Sequence, residues 1–177
     1  SGGGALGPLP VWDLSALYTE PSADKIAADI AWVKDEVARF ASDFKGKLDS
    51  ISAEQMLDAV KRVEAIEDRE GRVLSYVGLR HRQDSSDDAR AKALGDAEGA
   101  LVDATAPMVF FGLELNRVPD ETLEAHLSAN AELARYRPWF EHLRAYRPHM
   151  LSDDIEALLH DKSVVGSSAW MRLFDET

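Results

Sequence analysis

Cysteine is absent from all 177 residues, which removes disulfide frameworks, thiolate nucleophiles and cysteine-ligated zinc together. No apolar run approaches the roughly 20 residues that cross a bilayer. The N-terminus lacks the basic-then-apolar pattern of a secretory signal. These absences leave the cytoplasm as the expected compartment. Basic residues are the scarcer charge: 20 Lys+Arg stand against 32 Asp+Glu, a formal net charge of −12. A surface of that sign repels phosphate backbones and anionic lipid, so neither nucleic acid nor membrane is an expected partner. No window sustains the period-two alternation of a half-buried strand long enough to build a sheet.

What is present is helical periodicity, so the expected fold class is all-α: three long helices followed by a cluster of shorter ones, in a single lobe. Residues 1–10 open with Ser1-Gly2-Gly3-Gly4 and read as a flexible tail or cloning scar. Val11 through Tyr18 reads as a short apolar strap. Ser22 is placed to cap the first helix through its side-chain oxygen. Ile26, Ile30, Val33, Val37, Phe40 and Phe44 give that helix one apolar stripe, ended by Gly46 in a left-handed cap. Ser52 and Gln55 form a capping box for the second helix, whose inward face runs from Met56 to Val77. Glu67 through Gly71 interrupts that face, and Gly71 predicts either a break or the close approach of a neighbouring helix. Ser86, Asp87 and Asp88 start the third helix. Pro107 should kink it, because it lacks an amide and crowds the carbonyl one turn earlier. Short helices are expected at Asp120–Leu127, Ala131–Tyr136, Pro138–Tyr146 and Ser152–Asp161, with a last one from Ser167 or Ser168.

The familiar catalytic patterns are missing. No two of the five histidines stand in H-E-x-x-H, and none follows glutamate by three residues as a carboxylate-bridged di-metal bundle requires. Glu156 and His160 lie one turn apart, but two ligands do not make a metal site, and a solvated helix face explains them. Neither a G-x-S-x-G elbow nor a phosphate-binding glycine loop occurs. No catalytic residue, metal ligand or cofactor is therefore expected on this chain. Arg80-His81-Arg82 is a basic spot on an acidic protein. Favourable charge at a helix C-terminus accounts for it; a contact for a peptide carboxylate, with Tyr76 one turn earlier, is the functional reading. Trp139 and Phe140, beside Arg135, Tyr136 and Arg137, read as core anchors.

Four stretches resemble oligoendopeptidase F proteins. Ala134 through Ser152, with Tyr136-Arg137, Arg147-Pro148-His149 and Leu151-Ser152, is the fullest. Lys162-Ser163, Gly166 and Ser168 through Glu176 are similar to that family's serine/tryptophan segment. Trp12-Asp13-Leu14-Ser15 with Leu17-Tyr18 resembles its opening, and Gly71 through Arg80 its Gly-to-Leu-Arg segment. The matches fall in one order and span nearly the whole chain after the first ten residues. Pro107 and His81 through Asp84 depart from the pattern.

The resemblance implies that residues 11–177 are the helical N-terminal lobe of a thimet-oligopeptidase-like zinc metallopeptidase. In such enzymes this lobe faces a catalytic lobe across a deep channel. The catalytic lobe carries H-E-x-x-H, a further glutamate and one zinc ion, and hydrolyses short peptides. None of those residues can be placed on this chain. The implied partners are its own C-terminal catalytic domain and short peptides, with Tyr76, Arg80 and His81 as candidate channel residues. Trp170, Leu173 and Phe174 put three large apolar groups on one face just before Thr177, which reads as a cut within a longer polypeptide. The alternative is a freestanding helical interaction module.

Overall fold

Apolar side chains recurring three and four residues apart build three long helices, α1 (Ala23–Phe44), α2 (Ala53–Gln83) and α3 (Asp88–Thr105). Shorter ones follow: α4 (Val109–Arg117), α5 (Asp120–Ala129), α6 (Arg137–Ala145), α7 (Asp153–Lys162) and α8 (Ser167–Glu176). This computed structural model describes residues 11–20 and 22–176, so the expected tail at 1–10 lies outside the described residues. No strand occurs among the described residues, and the all-α expectation holds.

The helix ends show which local signals decide. At α2, Ser52 Oγ accepts from the Gln55 amide at 3.3 Å while Gln55 Oε1 accepts from the Ser52 amide at 2.9 Å, the reciprocal box the sequence predicts. At α3 the cap is Asp87, whose carboxylate accepts from the amides of Ala89 and Arg90. At α1 the outcome differs. Ser22 occupies the cap position but its backbone is already helical, and its hydroxyl donates to Glu20 instead of accepting from the first turn. Gly46, just past α1, has φ +76° as expected. Gly71 brings neither a break nor a close neighbour. The helix runs through it, and a Cβ there would meet nothing within 4 Å. Pro107 acts as predicted: a one-turn 3-10 segment, Ala106–Met108, separates α3 from α4.

Two apolar clusters form the core. One gathers Phe40, Met56, Leu115, Leu133 and Phe140, where the C-terminal half of α1 meets α2, α4 and α6. The other gathers Val33, Val37, Ile66, Val73 and Leu101 between α1, α2 and α3, and Met108 packs against both. Phe140 is buried and Trp139 stacks on Phe111 with ring centroids 6.3 Å apart, so both are the expected anchors. Burying a Phe-sized side chain is worth about 1.5–3 kcal/mol. Arg144 and Arg147 hold the end of α4. Their guanidinium groups donate to the Val118 carbonyl at 2.9 and 3.0 Å and both pair with Asp120.

The strap also finds its place. Tyr18 is buried, and its hydroxyl donates to Asp29 at 2.6 Å; Asp29 in turn pairs with Arg69 at 2.7 Å, which lies over the Trp32 ring. The far end is different. Helix α7 contributes no buried residue, and Ile155, Leu158, Leu159, Trp170 and Met171 of α7 and α8 are exposed.

Candidate functional site

The last two turns of α2 bring Tyr76 and Arg80 under the loop that leads into α1. Tyr76 is buried, and its hydroxyl donates to Glu20 and to Ser22 Oγ at 3.1 Å. Arg80 pairs with the same Glu20 oxygen at 3.2 Å. The Tyr76 hydroxyl, two bonds from Ser22 and the Arg80 charge hold the Glu20 carboxyl below its ordinary range, the Tyr76 bond first. Burial, and then the bond to Glu20, push the Tyr76 phenol up. Edge-on contact with Tyr18, centroids 5.2 Å apart, fixes the ring.

These residues stand at one end of an open cavity of about 750 Å³ between the N-terminal halves of α1 and α3, floored by α2. Its walls are apolar and mostly small, with Ile26, Ile30, Val77 and Ala97 among them. Its charged lining residues are Glu20, Arg80, Asp87, Arg90 and Asp96, and Arg90 donates to the Arg80 carbonyl at 2.9 Å and pairs with Asp87. His81 is not among the lining residues, and its Nδ1 is buried without a hydrogen-bond partner. The structure thus joins two of the three sequence candidates and sets the third apart. Glu20, Ser22 and Arg90 complete the cluster, and nothing local in the sequence marks them as partners of Tyr76 and Arg80, because they arrive from the segment before α1 and from α3.

A second cavity, about 340 Å³, opens on another side of α2 among α3, α4, α6 and α7. Glu67, Glu70, Phe111, Trp139, Leu143 and His160 line it. His160 is therefore not the solvated helix position expected of it: its Nε2 is buried and lacks a partner. Glu156, its expected companion, turns back to accept from the Leu151 amide at 2.8 Å. The sequence did carry a signal for this cavity in the acidic break at Glu67 through Gly71. Among the described residues no group of three or more His, Cys, Asp or Glu is placed to hold a metal ion.

The described geometry therefore offers clefts and no catalytic constellation, and comparison with known proteins supplies the lineage. Residues 114–177 match the Oligopeptidase F family model. Oligopeptidase PepF of Bacillus subtilis (strain 168) is 30% identical over 153 residues, 82% of this chain. This chain carries the N-terminal domain of the oligopeptidase F family. The domain spans 22% of PepF, so it aligns with part of a larger protein. The crystal structure of oligoendopeptidase-F from Enterococcus faecium superposes on 81% of this oligopeptidase F domain with a TM-score of 0.74 at 20% identity, using 27% of that chain. At that identity the likeness is one of fold. No helix among the described residues is long and apolar enough to cross a membrane.

Proposed function

We propose that this chain is the non-catalytic N-terminal lobe of a cytoplasmic zinc-dependent oligoendopeptidase that hydrolyses short peptides. Its role is to wall one side of the substrate channel and to keep folded proteins out by size. The observation that carries the reading is that four-fifths of the chain aligns with about one-fifth of Oligopeptidase PepF. Tyr76, Arg80 and His81 are assigned to the channel wall, where Arg80 meets a carboxylate or carbonyl of the peptide. The residues described here do not fit zinc, since no group of three possible ligands is assembled among them. The ligands belong to the catalytic domain, and this lobe contributes by closing over the site and limiting access of water. The exposed apolar side chains of α7 and α8 support the presence of a covering domain.

The test compares two polypeptides. The 177-residue chain should bind no stoichiometric zinc and leave a quenched fluorogenic peptide intact. The longer polypeptide that contains it should cut the same peptide and stop when chelator is added. Chelator-sensitive cleavage by the verified pure chain would overturn the reading, as would native product isolated from cells at 19.5 kDa.

A further inference from the structure

The 750 Å³ cavity lies against the N-terminal ends of α1 and α3, and both ends already hold a carboxylate of this chain. At α1, Glu20 accepts from the Ser22 amide at 3.0 Å; at α3, Asp87 accepts from the amides of Ala89 and Arg90. A helix N-terminus is the ordinary lure for an anion. Here an incoming anion finds the place taken. A cation fares no better. Glu20 pairs with Arg80 and Asp87 with Arg90, each at 3.2 Å, and Asp96 pairs with Lys92. Each charged residue lining the cavity thus has an opposite partner within the chain.

What remains unmet is apolar surface and one set of N–H donors. Ile26, Ala27 and Ile30 of α1 and Ala93, Ala97 and Ala100 of α3 line the cavity, with Ala27 and Ala93 exposed. A charged group moved in among them would give up water without compensation. The donors belong to Arg80. Its guanidinium meets Glu20 alone among the described residues, and a single carboxylate cannot take all five N–H groups. Tyr76 and Ser22 beside it are engaged with Glu20. A matching ligand is therefore uncharged and apolar along its length, with an oxygen acceptor at the Arg80 end.

We propose that this cavity binds an uncharged stretch of a short peptide through bulky aliphatic side chains, with a main-chain carbonyl accepting from Arg80. This names a substrate class for the site and rests on the peptide-contacting role given above to Arg80. The volume falls within the range of ligand sites, about 300–1,000 Å³, and suits a few residues of unstructured peptide rather than a folded partner. Short peptides rich in leucine-like side chains are then preferred over glycine-rich or charged ones.

The experiment titrates the isotope-labelled 177-residue chain with N-acetyl-leucyl-leucine amide, with its glycyl-glycine counterpart and with the leucyl free acid. Saturable NMR shifts are expected at the Ala97 and Ala100 methyl groups. The leucine amide should bind at least about tenfold more tightly than the glycine compound and no less tightly than the acid. The double variant Ala27→Leu/Ala93→Leu fills the cavity from two exposed positions with a good helix former, and should lose about tenfold or more in affinity. Arg80→Met keeps the apolar stem without the donors and should lose about threefold or more. Circular dichroism checks the helicity of both variants. Equal binding of the glycine compound, tighter binding of the acid, undiminished binding by either variant, or no shift up to about 10 mM would overturn the proposal. Chelator-sensitive cleavage by the longer polypeptide is read separately, so a failure here and a failure of the peptidase reading are told apart.

Discussion

The backbone amide of Gly46 donates to both carboxylate oxygens of Glu114, at 2.8 and 3.0 Å, across 68 positions of sequence. The bond ties the exit of α1 to α4, and it forms because Gly46 turns left-handed, φ +76°, as the chain leaves the helix. A residue with a side chain pays a steric penalty in that region, which is why glycine is favoured there.

Gly46→Ala should therefore destabilise the domain by about 1–2 kcal/mol, the cost of a left-handed non-glycine residue. A Cβ there meets nothing within 4 Å, so the loss is conformational and not a clash. Gly71→Ala is the opposite case, an open position inside a continuous helix. It should stabilise by about 0.5–1 kcal/mol. Urea midpoints of the two variants should move in opposite directions; movement in the same direction would refute the account of both glycines.

Arg144 should matter more than its chemistry suggests. It is largely buried, its guanidinium donates to the Val118 carbonyl at 2.9 Å, and it pairs with Asp120. Burial, then the neighbouring Arg147, lowers its pKa, a sign of how far it is withdrawn from water. Arg144→Ala removes one of the two guanidinium donors to the Val118 carbonyl, leaves Asp120 to Arg147 alone and empties a largely buried position, and should cost about 2 kcal/mol. Arg117 also pairs with a carboxylate, Asp153, but both are exposed. Arg117→Ala should change stability by no more than about 0.5 kcal/mol. Comparable losses in chemical denaturation would remove the distinction drawn between the two pairs.

These residues also mark how far the sequence could be read. The helices were legible because periodicity, the Ser52–Gln55 box, Gly46 and Pro107 are short-range signals set by backbone geometry. Ser22 misled because the capping preference competes with a tertiary bond: Glu20 takes its hydroxyl, and Glu20 is held there by Tyr76 from α2. The Tyr76–Arg80 pairing was legible as helical spacing. Its partners Glu20 and Arg90 were not, since which loop lies over a helix end is decided by packing of the whole. His160 has the spacing of a solvated helix position, yet the packing of α7 leaves its Nε2 buried.

The apolar residues of α7 should behave as surface in this chain. Leu158 and Leu159 are 53% and 52% exposed, whereas Phe140 is 1% exposed. Leu158→Glu should leave the stability of the domain within about 0.5 kcal/mol, while Phe140→Ala should cost about 3–5 kcal/mol. Thermal unfolding of the two variants measures the contrast. A loss at Leu158 as large as at Phe140 would mean that α7 is part of the core and not surface.

Two glutamates should pull the pH dependence in opposite directions. Burial, and then Glu67, hold Glu70 above its ordinary 4.5. The folded state then binds that proton more tightly than the unfolded state, so ionised Glu70 weakens the fold above its raised pKa and the penalty is relieved as pH falls through it. At Glu36 burial also raises the pKa, but the bonds and charges of Arg39 and Arg62 outweigh it and hold the group below 4.5. Its contribution is complete above 4.5 and is lost as pH falls through the depressed folded value. Glu70→Gln should accordingly stabilise the domain at pH 7, with the gain shrinking as pH falls through the raised value and gone once pH is below 4.5. Glu36→Gln should destabilise at pH 7, with the deficit shrinking only below 4.5. Urea denaturation across that pH range checks both. A Glu70→Gln gain that persists unchanged below 4.5 would show that it comes from packing of the amide and not from the buried charge.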